Sequence, residues 1–396
     1  MTKNDDKRVP VLRFKGFNDD WAQRKLGDIA NVDSSKRIHR SEYTKEGIPF
    51  FRGSEITDRK ISNLIYISKK KYNEIKNQYG VPKPGDLLIT AVGTIGNIWK
   101  VDNTSFYYKD GNLIHINPKC IDEDYLVYYF QFLKYKKIID RVASGSNQKA
   151  LTIIKVQNLK IKYPQKEGQS LIGVLLKKTE NLIALQQRKL QQLKLLKKAM
   201  LQDLFTDKNV PKLRFNGFDA NWIQCKLEKE ALLTMGQSPS GSTYSDQPST
   251  YILVQGNADL KNGWVKPRIW TTQITKLAKK GDIIITVRAP AGKVGRTNFD
   301  VVLGRGVASI QGNDFIFYLL SKMDMNKYWK KYAAGSTFES INSNDIKNTR
   351  VHVPNLSEQN RIANLFLRLD DLIRFQQNKL NNLQKTKQFL FQNMFI

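Results

Sequence analysis

The sequence predicts an α/β (α+β) chain: two globular domains, each followed by one long helix, with the two helices forming an antiparallel coiled coil and the whole carrying an internal pseudo-two-fold repeat. Three observations predict it. A strand-bearing frame occurs twice in the same order, and self-similarity reveals architecture before local propensity does. Each copy of the frame runs into a stretch without proline, about 35 residues long, whose apolar residues recur at three- and four-residue steps. The chain has 396 residues, more than one ordinary domain holds. The expected boundaries are a first domain over 1–164, its helical arm over 165–206, a second domain over 207–355 and a second arm over 356–396.

The opening segment VPVLRFKGFNDDWAQRKL, Val9 to Leu26, returns as VPKLRFNGFDANWIQCKL, Val210 to Leu227, at an offset of 201 residues. KPGDLLITAVGTIG from Lys83 is echoed by KKGDIIITVRAPAG from Lys279, offset 196, each reading as a turn, an apolar strand and a glycine-bearing loop. ASG at Ala143 matches AAG at Ala333, and from there the copies keep step at an offset of 190. The shrinking offset makes the second copy the shorter. Residues 31–80 and 232–278 share little beyond a strand-rich pattern, so one frame carries two different inserts. That is what a protein needs to present two different binding surfaces in one pseudo-symmetric arrangement.

The first long helix follows Pro164, and at 1.5 Å per residue it spans roughly 50 Å. Its expected seam is Ile172, Leu175, Thr179, Leu182, Gln186, Leu190, Leu193, Met200 and Leu204. The second opens at Ser357 with Gln359 and Asn360 in capping range, and its expected seam is Ile362, Leu365, Leu369, Leu372, Gln376, Leu380, Leu383, Leu390 and Met394. Gln186 and Gln376 hold equivalent places, either as polar seam residues that fix register or as ordinary solvated glutamines. In the order domain, helix, domain, helix, each helix buries its seam most readily on the other, antiparallel. The rod so formed would hold the domains apart by a distance comparable with the roughly 34 Å of one DNA turn.

Lys and Arg total 65 against 36 Asp and Glu, a formal charge of +29. An excess that large repels itself unless an acidic partner is present, which favours nucleic acid; lysine and asparagine enrichment from an AT-rich genome is the competing account. No apolar run approaches the roughly 20 residues that span a bilayer, and no apolar segment follows the charged start, so a soluble cytoplasmic protein is expected, without membrane contact. Cys120 and Cys225 lie in different halves with no C-x-x-C pair, which argues against a disulfide framework or a zinc site and for ordinary buried or half-buried thiols.

The paired LRF-x-GF-x-x-x-W openings at Leu12 and Leu213, the paired GD-x-x-IT strands at Gly85 and Gly281, the GQSPSG segment at Gly236 and the QQ-x-KL-x-x-L helices at Gln186 and Gln376 together resemble the specificity subunit of type I restriction-modification systems. The likeness covers essentially the whole chain, and it lies in the doubled order of motifs that are each weak singly. It implies two target-recognition domains, each reading one half of a bipartite sequence in double-stranded DNA, with a coiled coil that sets the unread spacer. It also implies two adenine methyltransferase subunits that use S-adenosylmethionine and restriction subunits that use ATP and Mg, with no cofactor and no catalysis in this chain.

The residues agree with that last implication. There is no G-x-x-x-x-G-K-[ST] loop and no N-P-P-Y tetrapeptide, and GKVGR at Gly292 has neither the spacing nor the hydroxyl of a phosphate loop. His39, His115 and His352 are too dispersed for a metal cluster. Asp86 and Asp282 could pass for nuclease carboxylates, but an acid opening a strand after a turn glycine is commonplace. Two other classes stay open on sequence grounds: a basic coiled-coil adaptor for RNA or acidic proteins, and an enzyme with cryptic carboxylates.

Sequence is read from base edges, where Arg suits guanine and Asn or Gln suits adenine. Polar loops therefore supply the candidates: Lys36, Arg37, Arg40, Arg52, Asn147, Gln148 and Lys149 in the first domain, and Gln237, Ser238, Arg288, Lys293, Arg296 and Arg305 in the second. For each one alone, a solvated charge or a phosphate contact competes with base reading. Leu195, Leu196, Phe389 and Phe395 are candidates for docking partner subunits, or equally for coil core.

Overall fold

The computed structural model describes residues 9–58, 64–143, 149–333 and 340–396. The chain divides into two compact units, one of 1–187 with 379–396 and the other of 188–378. Each unit takes in the end of one long helix and the start of the other.

In the first unit a four-stranded antiparallel sheet has the order Ala30–Asp33, Leu113–Pro118, Leu87–Thr90, Ile98–Lys100. A second sheet has the order Tyr43–Thr44, Ile65–Ile67, Ile48–Phe51, Tyr107–Tyr108, its last pair parallel. Leu87 and Ile89 face the core beneath helix Glu123–Tyr135, while Leu88 joins the cluster with Phe50, Phe106 and Tyr107, so one continuous apolar run serves two cores. Asp122 caps the helix by accepting the Tyr125 N–H at 2.8 Å.

The second unit repeats the plan. Strands Leu232–Met235, Val307–Gln311, Ile283–Thr286 and Val294–Arg296 build the same antiparallel order and continue through Trp264–Val265 and Leu260–Lys261. Tyr244–Ser245, Ile269–Thr271, Tyr251–Val254 and Val301–Leu303 form the companion sheet, extended by Leu277–Ala278. Asn313 caps helix Asp314–Met325 as Asp122 caps its counterpart. The segments that looked unrelated in sequence thus build equivalent sheets.

The two long helices, Lys166–Leu204 and Leu356–Met394, have 39 residues each. In the first unit Lys387 Nζ lies 2.5 Å from Glu180 and Tyr128 donates to the same carboxylate at 3.0 Å. In the second, Lys197 Nζ lies 2.5 Å from Asp370 and Tyr318 donates at 2.9 Å. As the residue on one helix rises from 180 to 197, its partner on the other falls from 387 to 370, which is antiparallel pairing. Ile172, Leu190, Ile362, Leu369 and Leu380 are buried, and Leu175, Leu193, Leu365 and Leu383 are half-buried.

Leu182 and Leu372 are not seam residues: they are 47 % and 55 % exposed, and Ile183 and Ile373 stand half-buried in their place. From Thr179 the seam steps four, three, four and three through Ile183, Gln186, Leu190 and Leu193. A 3.6-residue turn admits either a three- or a four-step after Thr179, and packing selects the latter. Gln186 and Gln376 are 8 % and 4 % exposed, so they are not solvated glutamines.

The arms also end inside the domains. Leu390, Phe391, Met394 and Phe395 enter the first unit's core, where the Phe395 ring centroid lies 5.3 Å from that of Phe132. Phe395 is therefore core rather than docking surface, while Leu195, Leu196 and Phe389 are exposed. Leu201, Leu204 and Phe205 enter the second unit's core in the same way. Cys225 is half-buried, its thiol pushed up to about 11 by burial and by Glu230, whereas Cys120 is exposed, against the expectation for it. Among the described residues no helix is long and apolar enough to cross a membrane.

Candidate nucleic-acid interface

Strand Ala30–Asp33 ends where SSKRIHR begins, and the chain runs on to a single turn at Arg40–Glu42. Glu42 fixes that turn: its carboxylate accepts the His39 N–H at 2.8 Å and pairs with Lys71 at 2.8 Å. Arg52 leaves the end of strand Ile48–Phe51, and Lys109–Asn112 turns between strands Tyr107–Tyr108 and Leu113–Pro118. These three loops enclose a cleft of about 710 Å³ lined by Arg37, His39, Arg40, Arg52, Lys109 and Asn112, together with Asp110 and apolar neighbours.

Two carboxylates orient guanidiniums there. Arg37 Nε donates to Asp110 at 3.0 Å with 71 % of the Arg37 side chain exposed. Glu55 accepts the Arg52 N–H on one oxygen at 2.7 Å, and Arg52 Nε and Nη2 on the other at 3.2 and 2.6 Å. Burial would raise the Glu55 carboxyl, but those bonds outweigh it and hold it below its ordinary range.

Lys36 belongs to a neighbouring cavity of about 450 Å³, with its ammonium 5.3 Å from the Tyr79 ring centroid. There His115 bridges Asp33 at 2.9 Å and Asp86 at 2.8 Å. Burial pushes the imidazole down, yet the bonds to the two carboxylates prevail and hold it at about 9. Asp86 also accepts the Lys83 N–H at 2.8 Å, and Asp282 accepts the Lys279 N–H at 2.9 Å, the turn chemistry expected of the GD motifs. Lys149 is exposed and lines neither cavity; Asn147 and Gln148 lie outside the described residues.

In the second unit, Ser238, Gln255, Arg288 and Arg305 line a cleft of about 220 Å³. Glycines build it by close approach. A Cβ at Gly236 would strike the Gly304 carbonyl, and one at Gly306 the Gln255 carbonyl, so only glycine lets these strand ends meet. Arg305, between Gly304 and Gly306, is thereby held at the rim, and its N–H donates to Ser238 Oγ at 3.0 Å.

The other candidates of this unit lie elsewhere. Gln237 is exposed, and its backbone N–H donates to Leu303 at 2.9 Å. Lys293 pairs with Asp324 at 2.9 Å, and Arg296 pairs with Asp314 and sits 4.3 Å from the Phe317 ring centroid, so both are engaged by helix Asp314–Met325.

Sequence reasoning missed His39, Lys109 and Asn112 in the first cleft and Gln255 in the second. Gln255 had a signal. FFRG and LVQG are each a strand end followed by glycine, and the structure puts Arg52 and Gln255 at equivalent positions.

The model of the type I restriction modification DNA specificity domain matches residues 18–195 and again 234–385. A protein of Methanocaldococcus jannaschii named as the MjaX specificity subunit of a type I restriction enzyme is 29 % identical over 391 residues, 93 % of this chain and 91 % of that one. The MjaIX specificity subunit of the same organism is 30 % identical over 207 residues, 46 % of each chain. Among solved structures, the S subunit of a type I restriction-modification system from M. genitalium superposes with a TM-score of 0.62 at 13 % identity, covering 98 % of this chain and 99 % of that one. A chain from a structure of type I restriction-modification complex assembly superposes with a TM-score of 0.59 at 20 % identity, covering 96 % and 98 %. With two copies of the specificity domain set on one duplicated frame, this chain belongs to the type I restriction-modification DNA specificity family.

Proposed function

We propose that this chain is the sequence-reading subunit of a type I restriction-modification complex, each domain reading one half of a bipartite DNA target. One observation carries the reading: the two domains place chemically different clefts at equivalent positions on one repeated frame. The first cleft gathers Arg37, Arg40, Arg52 and Lys109, and the second Arg288, Arg305, Ser238 and Gln255. Positive charge supplies phosphate affinity, and the differing donors and acceptors supply selectivity. Catalysis resides in partner subunits. The family match leaves the basic-adaptor reading without support.

The repeat bears on those partners. Leu182 and Leu185 on the first helix correspond, at an offset of 190, to Leu372 and Phe375 on the second, and all four are exposed. Two equivalent apolar patches suit two copies of one partner, here the adenine methyltransferase subunit, and the paired helices set the spacer between half-sites. The test is a salt titration of binding to a selected duplex and its scrambled version. Sequence reading keeps a preference between the two as salt rises, whereas purely electrostatic binding loses both together.

A further inference from the structure

Arg268 sits between strands Trp264–Val265 and Ile269–Thr271, and its Nε donates to Asp259 Oδ1 at 3.0 Å. Asp259 is 2 % exposed, and its other oxygen accepts the backbone N–H groups of Gln255 at 2.7 Å and Gly256 at 3.1 Å. Gln255 and Gly256 line the second cleft, so the carboxylate that orients Arg268 is fastened to the cleft wall. The Arg268 side chain is 53 % exposed, and its Nη1 and Nη2 make no hydrogen bond among the described residues.

The first domain holds the same device. The Glu55 side chain, 5 % exposed, takes the Arg52 N–H on one oxygen and the Arg52 guanidinium on the other. The arginine comes from different places in the chain: from the strand end itself in the first domain, and from across the hairpin in the second, where Gln255 holds the strand end. Two unlike local sequences thus arrive at one arrangement, a buried carboxylate aiming an arginine beside the cleft. The two backbone donors hold Asp259 Oδ2 in place, and Arg268 is the partner of Oδ1, so the carboxylate fixes the guanidinium from a wall that is itself fixed.

With Nε held, a guanidinium presents its Nη1 and Nη2 donors side by side. Guanine offers two acceptors, O6 and N7, at that spacing in the major groove, while adenine offers one acceptor beside a donor. A phosphate accepts the same fork but carries no sequence information, so base preference and salt slope tell the two contacts apart. We propose that Arg268 reads a guanine in the half-site of the second domain and that Asp259 is its positioning residue; this rests on the recognition function proposed above.

The test is selection of bound duplexes from a random library by the full chain in complex with its methyltransferase partner, comparing wild type with R268A, R268K and D259N. Wild type should specify guanine at a position in the second half-site. R268A and R268K should each lower that preference by about 5- to 150-fold and leave the first half-site unchanged. D259N should weaken the same position, and R268K carries the test if D259N fails to fold. An R268K variant that keeps the guanine preference overturns the proposal. So does an R268A variant that weakens all sequences alike and lowers the salt slope by about one, the signature of a phosphate contact. A wild-type motif without a specified guanine in the second half-site sinks this inference alone, whereas no bipartite motif at all sinks the recognition reading with it.

Discussion

Replacing His115 by glutamine removes the cation that ties Asp33 to Asp86 and leaves a side chain that does not titrate. The imidazole stands at about 9 against an ordinary value of 6.5. At 1.36 kcal/mol per unit, that shift corresponds to about 3 kcal/mol of pH-dependent stability. Asp33 is 57 % exposed, so solvent screens part of it, and about 2 kcal/mol remains. Because the folded value lies above the unfolded one, this stabilisation is complete below pH 6.5, declines as the pH rises to 9 and is gone beyond it. The assay is thermal unfolding of wild type and H115Q at pH 6 and pH 9.5. The gap between them should shrink by about 4–8 °C at the higher pH. With only three histidines in the chain, an NMR titration reads His115 directly. A gap that does not change with pH, or an imidazole titrating near 6.5, refutes the reasoning. DNA binding should weaken over the same window, since Asp33 leads into the loop that carries Lys36, Arg37 and Arg40.

Two further outcomes follow from packing. Arg214 pairs with Glu358 through two bonds of 2.8 Å, and the Glu358 side chain is 1 % exposed, so R214A leaves a buried carboxylate without its cation and should cost about 3–5 kcal/mol, read as a lowered melting temperature. R13A, at the equivalent place in the first domain, should cost less than about 1 kcal/mol, because glycine stands at 168 and, among the described residues, Arg13 donates only to the Asp19 carbonyl; equal losses would contradict the assignment. Inserting one heptad into each long helix adds about 10 Å of rise and should lengthen the unread spacer by about three base pairs with both half-sites unchanged. A spacer that stays the same would separate the helices from that role.

The frame was legible in the sequence because duplication shows which features the fold requires twice: the GD turns, the apolar strands after them and the long helices. The cleft was only partly legible. Arg37, Arg40 and Arg52 converge as polar loop residues should, but Lys293 and Arg296 look the same in sequence and are drawn off by Asp324 and Asp314, acids on helix Asp314–Met325 that only the folded chain brings to them. Arg268 was hidden for the converse reason: its partner Asp259 lies nearby in sequence, but its place beside the cleft depends on a hairpin in the divergent insert. The seam shows a third limit. Leu182 and Ile183 satisfy helical periodicity about equally, and only packing decides between them.

The most direct test of the central claim is single-molecule sequencing of adenine methylation in DNA from cells that express this chain with, and without, a compatible methyltransferase subunit. The account predicts one bipartite motif that requires both proteins, and exchanging the second domain should change only one of its halves. Methylation at the same sites without this chain, or a verified complex that marks no defined motif, would contradict it.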